Sequence, residues 1–111
     1  MHTLYVATLL SLVSVSSFSQ DRTFKSRDLA DLNNLEVKWS RFWNMHNMDS
    51  MGTLLREDVD FVNVAGQWLK GKKETVAVHK ERHLVVFKNS TWKTDSVSIK
   101  YVKDDLAIMH I

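Results

Sequence analysis

The sequence contains no cysteine and no proline, and only three of its 111 residues are glycine. The lack of cysteine excludes disulfides, thiolate metal sites, iron–sulfur clusters and cysteine nucleophiles. The glycines, Gly52, Gly66 and Gly71, do not form a phosphate loop or a dinucleotide fingerprint, and no GxSxG elbow is present. We therefore expect no cofactor.

The charge balance also lacks a strong excess of either sign. Fifteen Lys and Arg stand against thirteen Asp and Glu, which leaves a net charge of +2. This small, scattered excess does not indicate nucleic-acid binding. Apolar residues make up 44% of the chain, and the length fits one domain, since domains run to about 100–200 residues. We therefore expect one globular domain.

The first 19 residues have the composition of a secretory signal peptide. Residues 1–20 contain no Asp, Glu, Lys or Arg. The apolar run over residues 4–18 is shorter than the about 20 residues of a membrane-spanning helix. We predict cleavage after Ser19, a mature domain over residues 20–111, a secreted or periplasmic location, and no stable membrane anchor after cleavage. The alternative is a buried N-terminal helix.

Apolar spacing predicts three helices. Leucines and aromatics recur three and four residues apart over residues 28–47, which indicates an amphipathic helix. Asp28 and Asp31 fit its first turn, and Ser26 fits its cap. A short second helix follows Asp49. A third helical pattern spans residues 72–87.

The remaining segments predict strands. Residues 59–65 and 67–70 indicate a hairpin that turns at Gly66. Residues 90–103 alternate in polarity, and residues 106–111 are apolar on both faces, as in a central strand. Helices and strands without strict alternation indicate the α+β class. Because the sequence stops inside a strand, we expect a C-terminal truncation; alternatively, this strand pairs with a second copy or lies beneath the first helix.

Four stretches, taken in order, resemble the SnoaL-like, nuclear-transport-factor-2-like superfamily. They are WSRFWNMHNMD from residue 39, DVDFVNVAG from residue 58, WLKG from residue 68, and TVAVHKERH from residue 75 with FKNS after it. The closest likeness is to the small secreted SgcJ/EcaC branch, a domain of largely unassigned function. Relatives include ketosteroid isomerase, scytalone dehydratase, polyketide cyclases and non-catalytic association domains.

The resemblance implies a cone-shaped α+β roll. In this fold, three helices of the N-terminal half pack on a curved antiparallel sheet, and the open end of the cone forms a pocket. Family members usually continue for further strands beyond the position of Ile111, so we expect the roll to be incomplete at its C-terminus. The catalytic tyrosine and aspartate of the isomerase relatives have no residue-by-residue match here.

Two histidines on the third predicted helix are candidates for chemistry. His79 and His83 fall on or beside its apolar face, where an imidazole that faces a pocket acts as acid or base near neutral pH. Their spacing also suits two metal ligands, but HKERH is not HExxH and no third ligand is evident, so we predict no metal site. The alternative for each is a buried histidine bonded to backbone.

The first predicted strand supplies further candidates. Phe61 and Asn63 point to one side, where Asn63 offers a donor and an acceptor to a ligand; alternatively, Asn63 forms the hairpin turn. Asp60 points to the other side and acts as a general base only if it is desolvated. The alternative is a solvated aspartate.

Aromatic residues indicate an apolar cavity. Trp43 belongs to the stripe of the first helix, and Trp68 follows the hairpin turn, at the rim of the expected pocket. Tyr101 shares a strand face with Val97 and Ile99, so that its hydroxyl is able to donate to a substrate oxygen. The predicted ligand-binding residues are Trp43, Phe61, Asn63, Trp68, His79, His83 and Tyr101.

These features favour a secreted domain that binds a small hydrophobic molecule. One alternative is an enzyme of lyase or isomerase type with His79 or Asp60 as its catalytic base. The other is a homodimer that associates through an exposed sheet face. The ligand itself is not specified by the sequence.

Overall fold

The computed structural model describes the backbone of residues 18–111 and the side chains of residues 28–111. The predicted signal peptide lies outside these residues except for Phe18 and Ser19. The elements follow in the order α1 (Phe18–Asn44), α2 (Met48–Gly52), β1 (Asp60–Val62), β2 (Trp68–Lys70), α3 (Gly71–Leu84), β3 (Ser98–Lys103) and β4 (Leu106–His110). The predicted α+β class is confirmed. The expectation that all three helices lie in the N-terminal half is wrong, because α3 lies in the second half of the chain.

The four strands form two separate antiparallel hairpins. β1 pairs with β2, with Phe61 opposite Leu69, and β3 pairs with β4, with Ile99 opposite Met109. Across the described residues, no strand pairing joins the two sheets and no barrel closes. The backbone hydrogen bonds of residues 18–111 therefore do not form the single curved sheet that the resemblance implied.

The prediction that residues 106–111 form a central strand is wrong. β4 has only β3 as a neighbour among the described strands. Its burial alternates: Ala107 and Met109 are half-buried, whereas Leu106 and Ile108 are exposed. This alternation is the pattern of a sheet with one covered face.

The prediction of one strand over residues 90–103 is wrong for its first half, because β3 begins only at Ser98. The preceding segment is held by α1 instead of by a strand partner. The Asn44 side chain accepts a hydrogen bond from the Trp92 backbone N–H at 2.6 Å and donates to the Trp92 carbonyl at 3.0 Å. Thr94 donates to the carboxylate of Glu36, which is buried. These contacts satisfy groups that a strand ladder would otherwise use.

The predicted start of the first helix is also wrong. α1 begins at Phe18, so Asp28 and Asp31 lie in its interior and Ser26 is not its cap. No glycine or proline occurs between Phe18 and Asp28, so nothing there stops helix propagation. The predicted apolar stripe is present toward its C-terminus, where Trp43 is buried and Leu35, Trp39 and Phe42 are half-buried.

The first hairpin and α3 follow from local signals. Asn63 accepts the N–H of Gly66 at its carbonyl, and its side-chain Oδ1 accepts the N–H groups of Ala65 and Gln67. Gly66 has a φ of 76°, which glycine adopts without strain. The turn thus ends β1 at Val62, earlier than predicted. α3 ends at Leu84, before two β-branched valines.

The core lies where α2 and α3 meet β2. Its fully buried side chains are those of Met48, Met51, Leu69 and Thr75. Asn47 caps α2 by accepting the N–H of Ser50 at 3.0 Å. This small core fixes α3 against the first hairpin and thereby positions the cavity described below.

The close contact between α2 and α3 requires a glycine at position 52. A Cβ atom there would lie 2.6 Å from Val76 Cγ2. Val76 is β-branched and has little rotamer freedom in a helix. We expect Gly52→Ala to lower the free energy of unfolding by about 1–3 kcal/mol, measured by chemical denaturation.

The double variant Gly52→Ala/Val76→Ala tests the cause of that loss. Removing the Val76 methyl groups should recover most of it. Gly66→Ala is the matched control, because it introduces backbone strain of about 1–2 kcal/mol at a positive φ, with no atom near its Cβ. Val76→Ala should not rescue it. Strictly additive losses for positions 52 and 76 would show that the contact is not the reason.

Candidate functional site

A cavity of about 210 Å³ opens between α1, the first hairpin, α3 and the segment after α3. Five of its lining residues are aromatic: Trp39, Trp43, Phe61, Phe87 and Trp92. A cavity of about 150 Å³ is large enough to hold benzene. The space therefore suits a ligand with one ring and a small substituent.

The aromatic walls contact one another. The Trp39 ring stacks on Phe61 at 6.0 Å and meets Trp92 edge-on at 6.1 Å. Trp43 lies 5.1 Å from Phe87 and 5.4 Å from Trp92, measured between ring centroids. Such pairs contribute about 0.5–1.5 kcal/mol each beyond the burial of their area. The walls are thus held by packing among themselves.

Hydrogen bonds fix two of the indole rings. Trp43 Nε1 donates to Ser90 Oγ at 3.1 Å, and Trp92 Nε1 donates to Thr94 Oγ1 at 3.0 Å. Trp39 Nε1 is buried and has no hydrogen-bond partner in the part of the chain that the structure describes. Two of the three tryptophans are therefore oriented by partners outside the cavity.

His79 is buried and lines the cavity. Its Nδ1 lies 2.7 Å from the Thr75 carbonyl oxygen, one helical turn earlier. A carbonyl oxygen only accepts, so Nδ1 carries the proton, and in the neutral ring Nε2 is the acceptor. The ring meets Phe61 edge-on at 5.0 Å. His79 combines both predicted alternatives, because it bonds to backbone and also lines the cavity.

His83 is buried behind Trp43 rather than lining the cavity; the two ring centroids lie 4.5 Å apart. Its Nδ1 is 2.8 Å from the Nδ1 of His46, and its Nε2 is buried with no hydrogen-bond partner among the described residues. One of the facing Nδ1 atoms must be unprotonated, so at least one ring is neutral. Burial, followed by the charges of His46 and His79, lowers the pKa of His83.

The backbone brings His46 to this position through the end of α1. The Asn47 N–H bonds to the Phe42 carbonyl and the His46 N–H to that of Trp43, which is a Schellman motif. His46 has a φ of 52° at the position where glycine is usual. The helix end therefore turns the His46 imidazole toward α3.

The polar candidates on the first hairpin have other partners. Asn63 lines the cavity, but its Oδ1 accepts two turn N–H groups and its Nδ2 donates to Gln67. Asp60 is exposed and accepts from Trp68 Nε1 at 3.0 Å. Trp68 is 57% exposed, contacts Lys70 and does not line the cavity. The geometry thus gives Asp60 none of the desolvation that a base there would need.

Tyr101 lies in a different place. It lines a cleft between α1 and the second hairpin together with Leu32 and Ala107. Of the seven predicted ligand-binding residues, the structure brings four together at the cavity: Trp43, Phe61, Asn63 and His79.

Arg82 lines the cavity and was missed by the sequence analysis. Its Nη2 donates to Gln67 Oε1 at 3.3 Å, whereas its Nε is buried and has no acceptor within residues 28–111. Arg82 lies three residues after His79, on the same side of α3. That spacing was the sequence signal that could have placed Arg82 beside His79. It was not used, because an arginine usually packs only its apolar stem and keeps its charged head group in water.

The described residues contain neither a metal-binding cluster nor a membrane-spanning helix. No group of three or more His, Cys, Asp or Glu side chains there is arranged to hold a metal ion. No helix in the same part of the chain is long and apolar enough to cross a membrane.

In comparisons with known proteins, no family model, curated protein or solved structure matches this chain.

Proposed function

We propose that this protein binds a small hydrophobic molecule in the cavity between α1, the first hairpin and α3. The observation that carries the proposal is an open space of about 210 Å³ with five aromatic walls and few polar groups. Ligand sites typically combine apolar and aromatic walls with a small number of polar groups that set orientation. His79 and Arg82 are the titratable residues among those described at the walls.

Preorganisation supports the proposal. Ser90 and Thr94 hold two of the indole rings by hydrogen bonds, and Thr75 holds the His79 imidazole. A ligand therefore does not have to order these rings, which lowers the entropic cost of binding.

We also propose that this protein has a SnoaL-like fold and is exported. The order of a long helix, a short helix, a hairpin and a third helix supports a SnoaL-like roll, with the cavity at the open end of its cone. The uncharged N-terminal run supports export to the periplasm or the medium.

An enzyme of lyase or isomerase type is the second candidate, and His79 favours it. Because Nδ1–H is fixed on the Thr75 carbonyl, Nε2 of the neutral ring is the nitrogen available as a base. A substrate proton must come within hydrogen-bond reach of that atom. Turnover that survives His79→Ala would rule out this base.

Tryptophan fluorescence provides the test of binding. The chain has four tryptophans, three of which line the cavity, so Trp68→Phe leaves only indoles that report on the cavity. With toluene as the probe, we expect a saturable fluorescence change. A concentration of about 100 Kd should also stabilise the fold by ~2.7 kcal/mol.

Two alanine variants make the test specific. Ala65 lines the cavity and is exposed, so Ala65→Phe should obstruct the site without unfolding the protein. Ala77 is exposed on α3 and lines a different cleft, so Ala77→Phe is the matched control. The absence of saturable toluene binding, or equal effects of both variants, would overturn the proposal.

A further inference from the structure

The charge distribution around the cavity is one-sided. Among the described residues that line it, Arg82 is cationic and none is acidic. Arg82 makes no ion pair with any residue in the described part of the chain, although four other basic residues there do. Arg82 therefore lies at a largely aromatic wall without a counter-charge among the described residues.

One buried donor of Arg82 is also unsatisfied within the described residues. A guanidinium has five N–H donors. Within the described residues only Nη2 has a partner, the Gln67 side chain at 3.3 Å, and the buried Nε has none. A buried N–H donor such as Nε is costly when it lacks an acceptor. A carboxylate matches the guanidinium fork in shape and charge.

Gln67 holds the Arg82 side chain in place. Gln67 Oε1 accepts from Arg82 Nη2 and also from Asn63 Nδ2 at 3.2 Å. Asn63 is fixed by the hairpin turn through two backbone N–H groups. A chain of hydrogen bonds therefore connects the turn to the guanidinium at the cavity wall.

We propose that the ligand is a single-ring aromatic carboxylate, with its ring between the aromatic walls and its carboxylate paired with Arg82. This inference rests on the proposed function, since it specifies the ligand class of the same cavity. The volume of about 210 Å³ limits the ring system. The guanidinium, which has no ion-pair partner among the described residues, selects the anion, because a charge-assisted bidentate pair is stronger than a neutral hydrogen bond.

Four probes of similar size separate the ring from the charge: toluene, benzyl alcohol, benzylamine and benzoate. At neutral pH and low salt, we expect benzoate to bind roughly 10- to 100-fold more tightly than benzyl alcohol. Benzylamine should bind more weakly than benzyl alcohol, because its ammonium meets a like charge. Benzoate that binds no better than the alcohol would overturn the inference.

Variants assign the preference to one side chain. Arg82→Met keeps an apolar stem and should remove the benzoate preference, so that benzoate binds no more tightly than benzyl alcohol. Lys73→Met is the control, because Lys73 is an exposed cation on the same helix and does not line the cavity. It should leave benzoate binding within about twofold of the original, since exposed charges are screened by solvent. An unchanged preference in Arg82→Met would overturn the inference.

The probes also distinguish the two proposals. Toluene binding without a benzoate preference overturns the carboxylate inference and leaves the binding function standing. The absence of saturable binding by all four probes overturns both.

Discussion

Replacing Trp43 with alanine is expected to lower the free energy of unfolding by about 3–5 kcal/mol, the usual cost of removing a buried tryptophan. The Trp43 side chain is only 9% exposed, and its ring contacts His83, Phe87 and Trp92. Its Nε1 also donates a hydrogen bond to Ser90 Oγ. Alanine leaves a cavity in the position where α1, α3 and the following segment meet.

Trp68→Ala is the matched control, because Trp68 is 57% exposed. Its bond to Asp60 and its contact with Lys70 lie at the surface, so the loss should be about 1 kcal/mol or less. Denaturant unfolding followed by circular dichroism measures both, since fluorescence itself changes when a tryptophan is removed. Trp43→Phe retains a ring and gives a folded comparison if the alanine variant does not fold. Equal losses at positions 43 and 68 would contradict the central position of Trp43.

Acidification is expected to destabilise the fold through His83. Folding lowers the pKa of this imidazole, chiefly because of burial. Between the lower folded-state pKa and the unfolded value of about 6.5, the unfolded chain binds more protons than the folded chain. The stabilisation is therefore present above about pH 6.5 and is lost as the pH falls through the folded-state pKa.

The structure explains why the protonated ring is poorly tolerated. Its Nδ1 faces that of His46 at 2.8 Å, so full protonation of both rings breaks their hydrogen bond. Among the described residues, no carboxylate lies within ion-pair distance of His83; Asp49, in the adjoining cleft, pairs with Lys80 at 3.2 Å. An unsatisfied buried polar group costs about 1–3 kcal/mol, which corresponds to roughly 5–15 °C in Tm.

Thermal unfolding between about pH 7.5 and 5.5 tests this, since carboxylates stay ionised over most of that range. His83→Leu should flatten the pH dependence, because an apolar side chain suits the buried position and the exposed His46 ring is then free to hydrate. His110→Ala, which removes an exposed histidine on β4, should leave the pH dependence intact. A slope that persists in His83→Leu would assign the effect to another group.

Local signals in the sequence predicted the first hairpin and α3 well. The β-branched and aromatic strand, the glycine at the turn and the return strand all act over a few residues, so no tertiary contact is needed to recognise them. The outward and inward alternation of Asp60, Phe61 and Val62 is likewise confirmed.

Long-range contacts decided what the sequence did not predict. Asn44 holds Trp92 across 48 residues, which keeps the segment before β3 out of a strand. The Schellman motif at the end of α1 brings His46 to His83. Nothing in the sequence indicates that His46 has a positive φ. Arg82 is similar, because its place at the cavity wall depends on the packing of α3 and on its hydrogen bond to Gln67, 15 residues earlier. Burial of polar groups is a property of the packed chain rather than of any local pattern.

The separation of the two hairpins has a consequence for cooperativity. Within the described residues, no strand pairing connects β3 and β4 to β1 and β2. Regions that share few hydrogen bonds open as distinct units in native-state exchange. We therefore expect β3 and β4 to open locally while the aromatic walls of the cavity stay packed. The dissociation rate of a bound molecule then does not depend on how often the C-terminal strands open.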